Sequence, residues 1–242
     1  ACHREIRTML KSISRTIGLL FVTLTAAGVQ AQQGNWAEPL FEKRDHDFGI
    51  VAQGADTQYR LKVVNTLAVP VHMFGIRTIC TCVSGRILQE TLAPGETGYI
   101  EITLDTKKHK HDKSTAIFVQ FDRPQFVEVR IPIKAYIRTD VVLTPGKAEF
   151  GSVLPGGTAE RRVNVAYSGL RPDWAIVNVV NKNKDLDVQV RETSRAGYTC
   201  SYEVQVTLKS TAPLGELRDQ VLLATNDQNN PHLPLLVEGR VR

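Results

Sequence analysis

Beyond its N-terminal stretch, this 242-residue chain has no apolar run long enough to cross a bilayer, which takes roughly 20 consecutive residues. Nor does it contain a Gly-x-Ser-x-Gly elbow, a His-Glu-x-x-His pair, a phosphate-binding glycine loop or the kinase signatures, so the common catalytic templates fail. Cysteine is scarce, at four residues, and tryptophan scarcer, at two. The Cys…Trp…Cys spacing of antibody domains is absent. Charge is close to balanced. Of 30 basic and 25 acidic residues, residues 1–31 hold four and one, leaving 26 against 24 for the remainder. Phosphate binding needs a concentrated positive surface, so no nucleic-acid partner is expected.

The N-terminus is read as an export leader. Lys11 and Arg15 precede an apolar run of 13 residues, Ile17 to Val29. Val29-Gln30-Ala31 then places small residues where a signal peptidase cuts. Met9 is taken as the start, with residues 1–8 an upstream extension. The run is short for an anchor, so cleavage after Ala31 is expected, and with it a periplasmic or cell-surface location. Three cysteines follow the leader: Cys80, Cys82 and Cys200. An odd number leaves at least one thiol over or pairs it with another chain.

What is present is repetition. His46-Asp47-Phe48-Gly49-Ile50-Val51 answers to Ala148-Glu149-Phe150-Gly151-Ser152-Val153, an offset of 102 residues that also carries Gly54 onto Gly156 and Arg60 onto Arg162. A period this long marks a duplicated domain rather than a solenoid. Within each copy apolar residues alternate: Tyr59, Leu61, Val63; Ile100, Ile102, Leu104; Val127, Val129, Ile131, Ile133; Val163, Val165; Val188, Val190; Val204, Val206, Leu208. Period two puts one face of a strand in a core and the other, including Glu101, in water. Pro94-Gly95, Pro145-Gly146 and Pro155-Gly156-Gly157 punctuate the runs. Pro132, on the polar phase of its run, suits an edge or a bulge.

The fold class expected is all-β, two tandem immunoglobulin-like β-sandwich domains after a signal peptide. The divisions are a leader over 1–31, a lead-in over 32–45, a first domain over 46–138 and a second over 139–242. The boundary near Thr139-Asp140 carries no Gly/Ser linker, so a short connection with some contact between domains is expected.

Several of these residues resemble the domain of unknown function 1573 family. The aromatic-Gly pair is Phe48-Gly49 with Val51, the strand ending in Asn is Val63-Val64-Asn65, and the Cys-x-Cys is Cys80-Thr81-Cys82. The Pro-Gly-Glu turn is Pro94-Gly95-Glu96. The resemblance covers roughly 46–138, the second copy matching less completely and without the Cys pair. Thr81 stands where the family has Gly. The resemblance implies an exported immunoglobulin-like sandwich akin to the Hydin and major-sperm-protein-like domains, and carries no established activity.

Two constellations offer chemistry. On a strand, Cys80 and Cys82 would point the same way, where two thiolates suit a soft ion such as Cu(I). His72 and Met73 could fold back across a hairpin as extra ligands. The same pair also reads as buried structural thiols or as a redox-labile disulfide. The second constellation is Lys107-Lys108-His109-Lys110-His111-Asp112-Lys113, where Lys107, Lys108 and Lys110 would suit an anionic polymer or lipid headgroup. A solvated hairpin is the bland alternative. His46 and Asp47 are read as finishing a strand rather than as an acid/base pair. The leading expectation is a non-catalytic envelope module, with no resident cofactor, recognising a protein or an anionic surface. The alternative is metal-handling or thiol-redox chemistry at Cys80-x-Cys82.

Overall fold

The computed structural model describes residues 34–242, and the expected leader and cleavage point lie outside the described residues. A short 3₁₀ turn, Glu38–Leu40, precedes fifteen strands. In the first half these are β1 His46–Gln53, β2 Thr57–Val64, β3 Val71–Thr78, β4 Val83–Ile87, β5 Thr91–Leu92, β6 Thr97–Leu104 and β7 His111–Arg123. β8, Val127–Thr144, is the longest. The second half adds β9 Lys147–Val153, β10 Ala159–Ser168, β11 Ile176–Val180, β12 Leu186–Ala196, β13 Thr199–Leu208, β14 Gly215–Thr225 and β15 His232–Val241. Among the described residues no helix is long and apolar enough to cross a membrane.

The described residues form an all-β molecule with two hydrophobic cores. One gathers Leu61, Met73, Ile100, Ile102, Phe121, Ile131 and their neighbours. The other is built around Trp174, Val163, Val165, Val204, Val206 and Leu235. The alternation read from the sequence explains this: Ile100, Ile102, Val204 and Val206 are fully buried. Burying such side chains at about 25 cal/mol per Å² is the main term holding each sandwich.

The expected short connection between the cores does not exist as a loop. β8 runs unbroken through Thr139 and Asp140. Its first part pairs with β7 and, in parallel, with β1; its last residues, Val141 to Thr144, pair with β10. One eight-stranded sheet, with path β12-β13-β10-β8-β7-β3-β5 and β1 beside β8, therefore serves both cores. Sheets β2-β6-β4 and β11-β14-β15-β9 cover it from opposite halves. Ala52 and Ala55, from the first repeat, belong to the second core. The turn after β8 also touches the turn after β1. Asp56 N donates to Gly146 O at 2.9 Å, and a Cβ at Gly146 would lie 2.1 Å from Gly54 O. Only glycine allows that approach.

The duplication is visible in backbone geometry. Gly49 and Gly151 share φ near +66° and +67°, and Gly54 and Gly156 share +81° and +76°. In each copy the opening strand pairs in parallel with the closing one, β1 with β8 and β9 with β15. Pro132 recurs 102 residues later as Pro234. Each sits just ahead of the parallel pairing, which begins at Ile133 and at Leu236. Each lies within an antiparallel ladder, opposite Ala116 or Leu222, so a residue with no N–H to donate fits only on the side where the parallel ladder has not yet formed. The Asn and Pro-Gly-Glu elements also meet: Asn65 N donates to Glu96 O and Gly95 N to Asn65 O. Buried Asn65 donates its side-chain amide to Val69 O and Leu92 O.

Candidate functional site

The Cys80–Cys82 segment is a turn between β3 and β4, not a strand. The two sulfurs are joined in a disulfide, and in that form they offer no thiolate to a soft ion. His72 and Met73 are not brought to them. Both lie at the start of β3, while the pair follows its end, so six or more residues of extended chain intervene. His72 Nδ1 instead sits 2.6 Å from Asp122 Oδ1, and Met73 is wholly buried in the first core. Among the described residues no group of three or more His, Cys, Asp or Glu is arranged to hold a metal ion. Among the described residues Cys200 is the unbridged cysteine, buried in the second core with its thiol 3.6 Å from Trp174 O. Burial pushes that thiol above its ordinary value.

The basic segment links β6 to β7. Asp105 Oδ1 accepts the backbone N–H groups of Lys107 and Lys108 at 2.9 and 3.0 Å, which fixes the start of the turn. Lys107 Nζ pairs with Asp56 at 3.2 Å. Lys108 and Lys110 are exposed. Lys107 also lines a cavity of about 540 Å³ at the β8–β9 turn, with Gly54, Gly146, Lys147 and Arg162. No unpartnered group converges there, because Lys147 is paired with Glu149 and Glu238, and Arg162 with Glu160.

The contact expected between the two repeats is a seam of paired charges, and that charged character was not anticipated from the sequence. Glu101, expected to face water, is 9% exposed. Arg218 Nη1 reaches it at 3.0 Å from the other repeat, and Arg86 Nη2 at 3.0 Å from β4. Arg218 Nη2 donates to Gln58 Oε1 at 2.6 Å, and Arg60 pairs with Glu216 at 2.6 Å. These residues line a cleft of about 440 Å³. Burial alone would raise the Glu101 carboxyl, but hydrogen bonds from Arg86 and Arg218 outweigh it and hold it below the usual range. The signal for this seam was an acidic residue on the outward phase of a strand, which alternation alone assigns to solvent.

His46 opens β1 rather than finishing a strand, and Asp47 Oδ1 accepts Gly49 N at 2.7 Å. The His46 ring stacks on Tyr59 at 3.6 Å, with Phe48 edge-on at 4.5 Å. Burial, aided by Lys43, lowers its pKa to about 4. A histidine held neutral in the fold binds its proton more readily when unfolded. Stability is therefore lost as pH falls from about 6.5 to about 4. After discounting for solvent screening the loss is on the order of 1 kcal/mol. Urea unfolding of the wild type and His46→Phe at pH 7 and pH 4.5 should show a smaller pH dependence in the variant; equal slopes would remove His46 as the cause.

Two edge strands of the second repeat differ in charge. β12 is an edge strand carrying Asp187, Arg191, Glu192 and Arg195. Charges of that kind discourage strand addition. β11 is the edge of the four-stranded sheet and carries none: its sequence is Ile-Val-Asn-Val-Val. Val177 is 61% exposed. Along one side β11 pairs with β14. One of its donors, Val179 N, is taken by Asn178 Oδ1 at 2.8 Å.

Residues 40–136 match a family model described as protein of unknown function (DUF1573). No curated protein matches the chain. Among solved structures, a protein of unknown function from Porphyromonas gingivalis W83 is similar over 83% of this chain and 98% of its own, at 11% identity and TM-score 0.33. The ASH / PapD-like domain 7 of human CEP192 is similar over 41% and 84%, at 11% identity and TM-score 0.34. VesB protease of Vibrio cholerae is similar at 16% identity and TM-score 0.33, over 39% of this chain, which spans 30% of that protein's length.

Proposed function

With residues 40–136 carrying a DUF1573 domain, we propose that this chain is an exported, non-catalytic binding module of the cell envelope that takes a partner protein's strand along β11. The observation that supports this reading is the uncharged, open edge of β11 with Val177 exposed. An edge presents unpaired backbone donors and acceptors, and a partner strand satisfies them while side chains set specificity. The partner strand displaces the Asn178 side chain from Val179 N. Residues 32–242 immobilised on a support, with envelope extract as the source of ligand, should retain a protein whose capture falls about tenfold with Val177→Lys and survives Val177→Thr. A tenfold loss corresponds to about 1.4 kcal/mol. Equal capture by all three proteins removes the β11 reading.

Lys108 and Lys110 support a second surface. Both are exposed, and neither has a carboxylate within ion-pair distance among the described residues. Vesicles containing anionic lipid should bind residues 32–242 more weakly when Lys107, Lys108 and Lys110 are changed to Ala, with the difference disappearing at high salt as screening lengths shorten. Unchanged vesicle binding at low salt would dismiss the loop.

A further inference from the structure

The Cys80–Cys82 bridge is unused by the strand-edge reading, and four observations bear on it. It closes a loop with one residue inside, Thr81. Cross-links restrict an unfolded chain more as the loop grows, so a bridge this short contributes little by that route. The two sulfurs are also unequal in access. Cys82 is 1% exposed and packs within the first core, whereas Cys80 is half-buried at the surface. Their electronic settings differ too: Cys80 Sγ accepts the backbone N–H of Cys82 at 2.9 Å. A donor to sulfur favours the thiolate there. Finally, Thr81 is exposed and Ile79 beside the pair is 61% exposed. That leaves an apolar rim at the bridge for a partner to cover.

We propose that Cys80–Cys82 is a thiol–disulfide exchange site for a dithiol-bearing protein partner, with Cys80 the sulfur that is attacked and Cys82 the one released. A partner thiolate attacks Cys80 Sγ. The partner–Cys80 bond forms, the Cys80–Cys82 bond breaks, and Cys82 leaves as a thiolate that takes a proton from water. The partner's second thiolate then attacks its own sulfur in the mixed disulfide. The partner becomes a disulfide, and Cys80 leaves as a thiolate facing the Cys82 N–H. Two electrons pass from the partner dithiol to the bridge, and no other reagent is consumed. Attack on Cys82 is blocked by its burial, because exchange requires an accessible sulfur in line with the incoming thiolate. Cys200, buried in the second core with its thiol against Trp174 O, is an internal control within the same chain.

The probe is glutathione, so the outcome does not depend on whether β11 binds anything. Oxidised residues 32–242 are equilibrated in buffers of varied reduced-to-oxidised glutathione, quenched in acid, alkylated and mapped by peptide mass spectrometry. The bridge is expected to open and re-form reversibly within that range. Cys82→Ser should take up oxidised glutathione at Cys80 at least tenfold faster than Cys80→Ser takes it up at Cys82, with Cys200 unmodified in both. For the wild type, which needs no substitution to fold, peptide mapping at short times should place glutathione on Cys80. Its melting temperature should be nearly unchanged by opening the bridge. A bridge that stays closed across the whole buffer range, equal rates at the two sulfurs, glutathione mapped to Cys82, or collapse of the fold on reduction would each overturn the proposal.

Discussion

Asp140→Ala is expected to lower the unfolding free energy by about 3–5 kcal/mol, because it leaves a buried charge without its main partner. Arg138 lies in β8 where the strand passes from one core to the other, and its side chain is 3% exposed. Asp140 holds it through two hydrogen bonds, Nε at 2.8 Å and Nη2 at 2.6 Å. Asp227, from the turn between β14 and β15, contributes one longer contact at 3.3 Å. Nη1 has no protein partner. Burial by itself disfavours the charged guanidinium, and the two carboxylates more than compensate. With Asp140 gone, the 3.3 Å contact cannot replace a bidentate pair. In a chain of this size each kcal/mol moves the midpoint by roughly 2–4 °C, so calorimetry resolves the effect easily. Adding Arg138→Met to Asp140→Ala should restore most of the loss, since the methionine fills similar space with no charge to desolvate. If the double variant is no more stable than Asp140→Ala, uncompensated charge is not the cause.

Arg218→Met at the seam is the second large effect, about 2–3 kcal/mol at pH 7. Glu101 is the reason: at 10% side-chain exposure it keeps only Arg86 and the 3.8 Å contact to Arg60 once Arg218 is removed. The neighbouring Arg60–Glu216 pair is shorter, at 2.6 Å, yet its side chains are 33% and 54% exposed. Exposed pairs contribute about 0–1 kcal/mol, so burial decides which of the two contacts matters. The sign of the pH dependence follows from Glu101. Its folded pKa lies below the ordinary glutamate value of 4.5. The stabilisation is therefore complete above about pH 4.5 and is lost as pH falls through the lower, folded value. Denaturation of wild type and Arg218→Met at pH 7 and at pH 3 should show the gap narrowing at the lower pH. A gap that is constant with pH would mean the loss comes from packing rather than from the ion pair.

These two contacts bear on function through rigidity. A continuous strand, a backbone hydrogen bond from Asp56 to Gly146 and a charged seam all join the repeats. Inter-domain motion is the default when such an interface is small and polar. Here β8 itself must bend before the repeats can turn against each other. Under the strand-edge proposal, β11 would be presented on a stiff support rather than on a hinge.

What the sequence by itself determined was periodicity and repetition. The period-two runs placed Ile100, Ile102, Val204 and Val206 inside, because a strand has two faces and apolar side chains seek the dry one. The 102-residue offset marked a duplication, since matching glycines are required wherever matching turns take a positive φ. The Cys80-x-Cys82 spacing was legible, and so was the odd cysteine left over. Only the tertiary structure decided the rest. Alternation assigns Glu101 to the outer face and cannot say that the outer face meets Arg218 of another repeat. Cys80 and Cys82 share a face only if they lie on a strand; the chain turns there instead, and His72 stays at the far end of β3. The continuity of β8 through Thr139 and Asp140 was equally hidden. Whether a strand ends or continues is settled by the neighbours that take its backbone hydrogen bonds, and those change along β8, from β7 beside it in the chain and β1 at the start of the first repeat to β10 of the second.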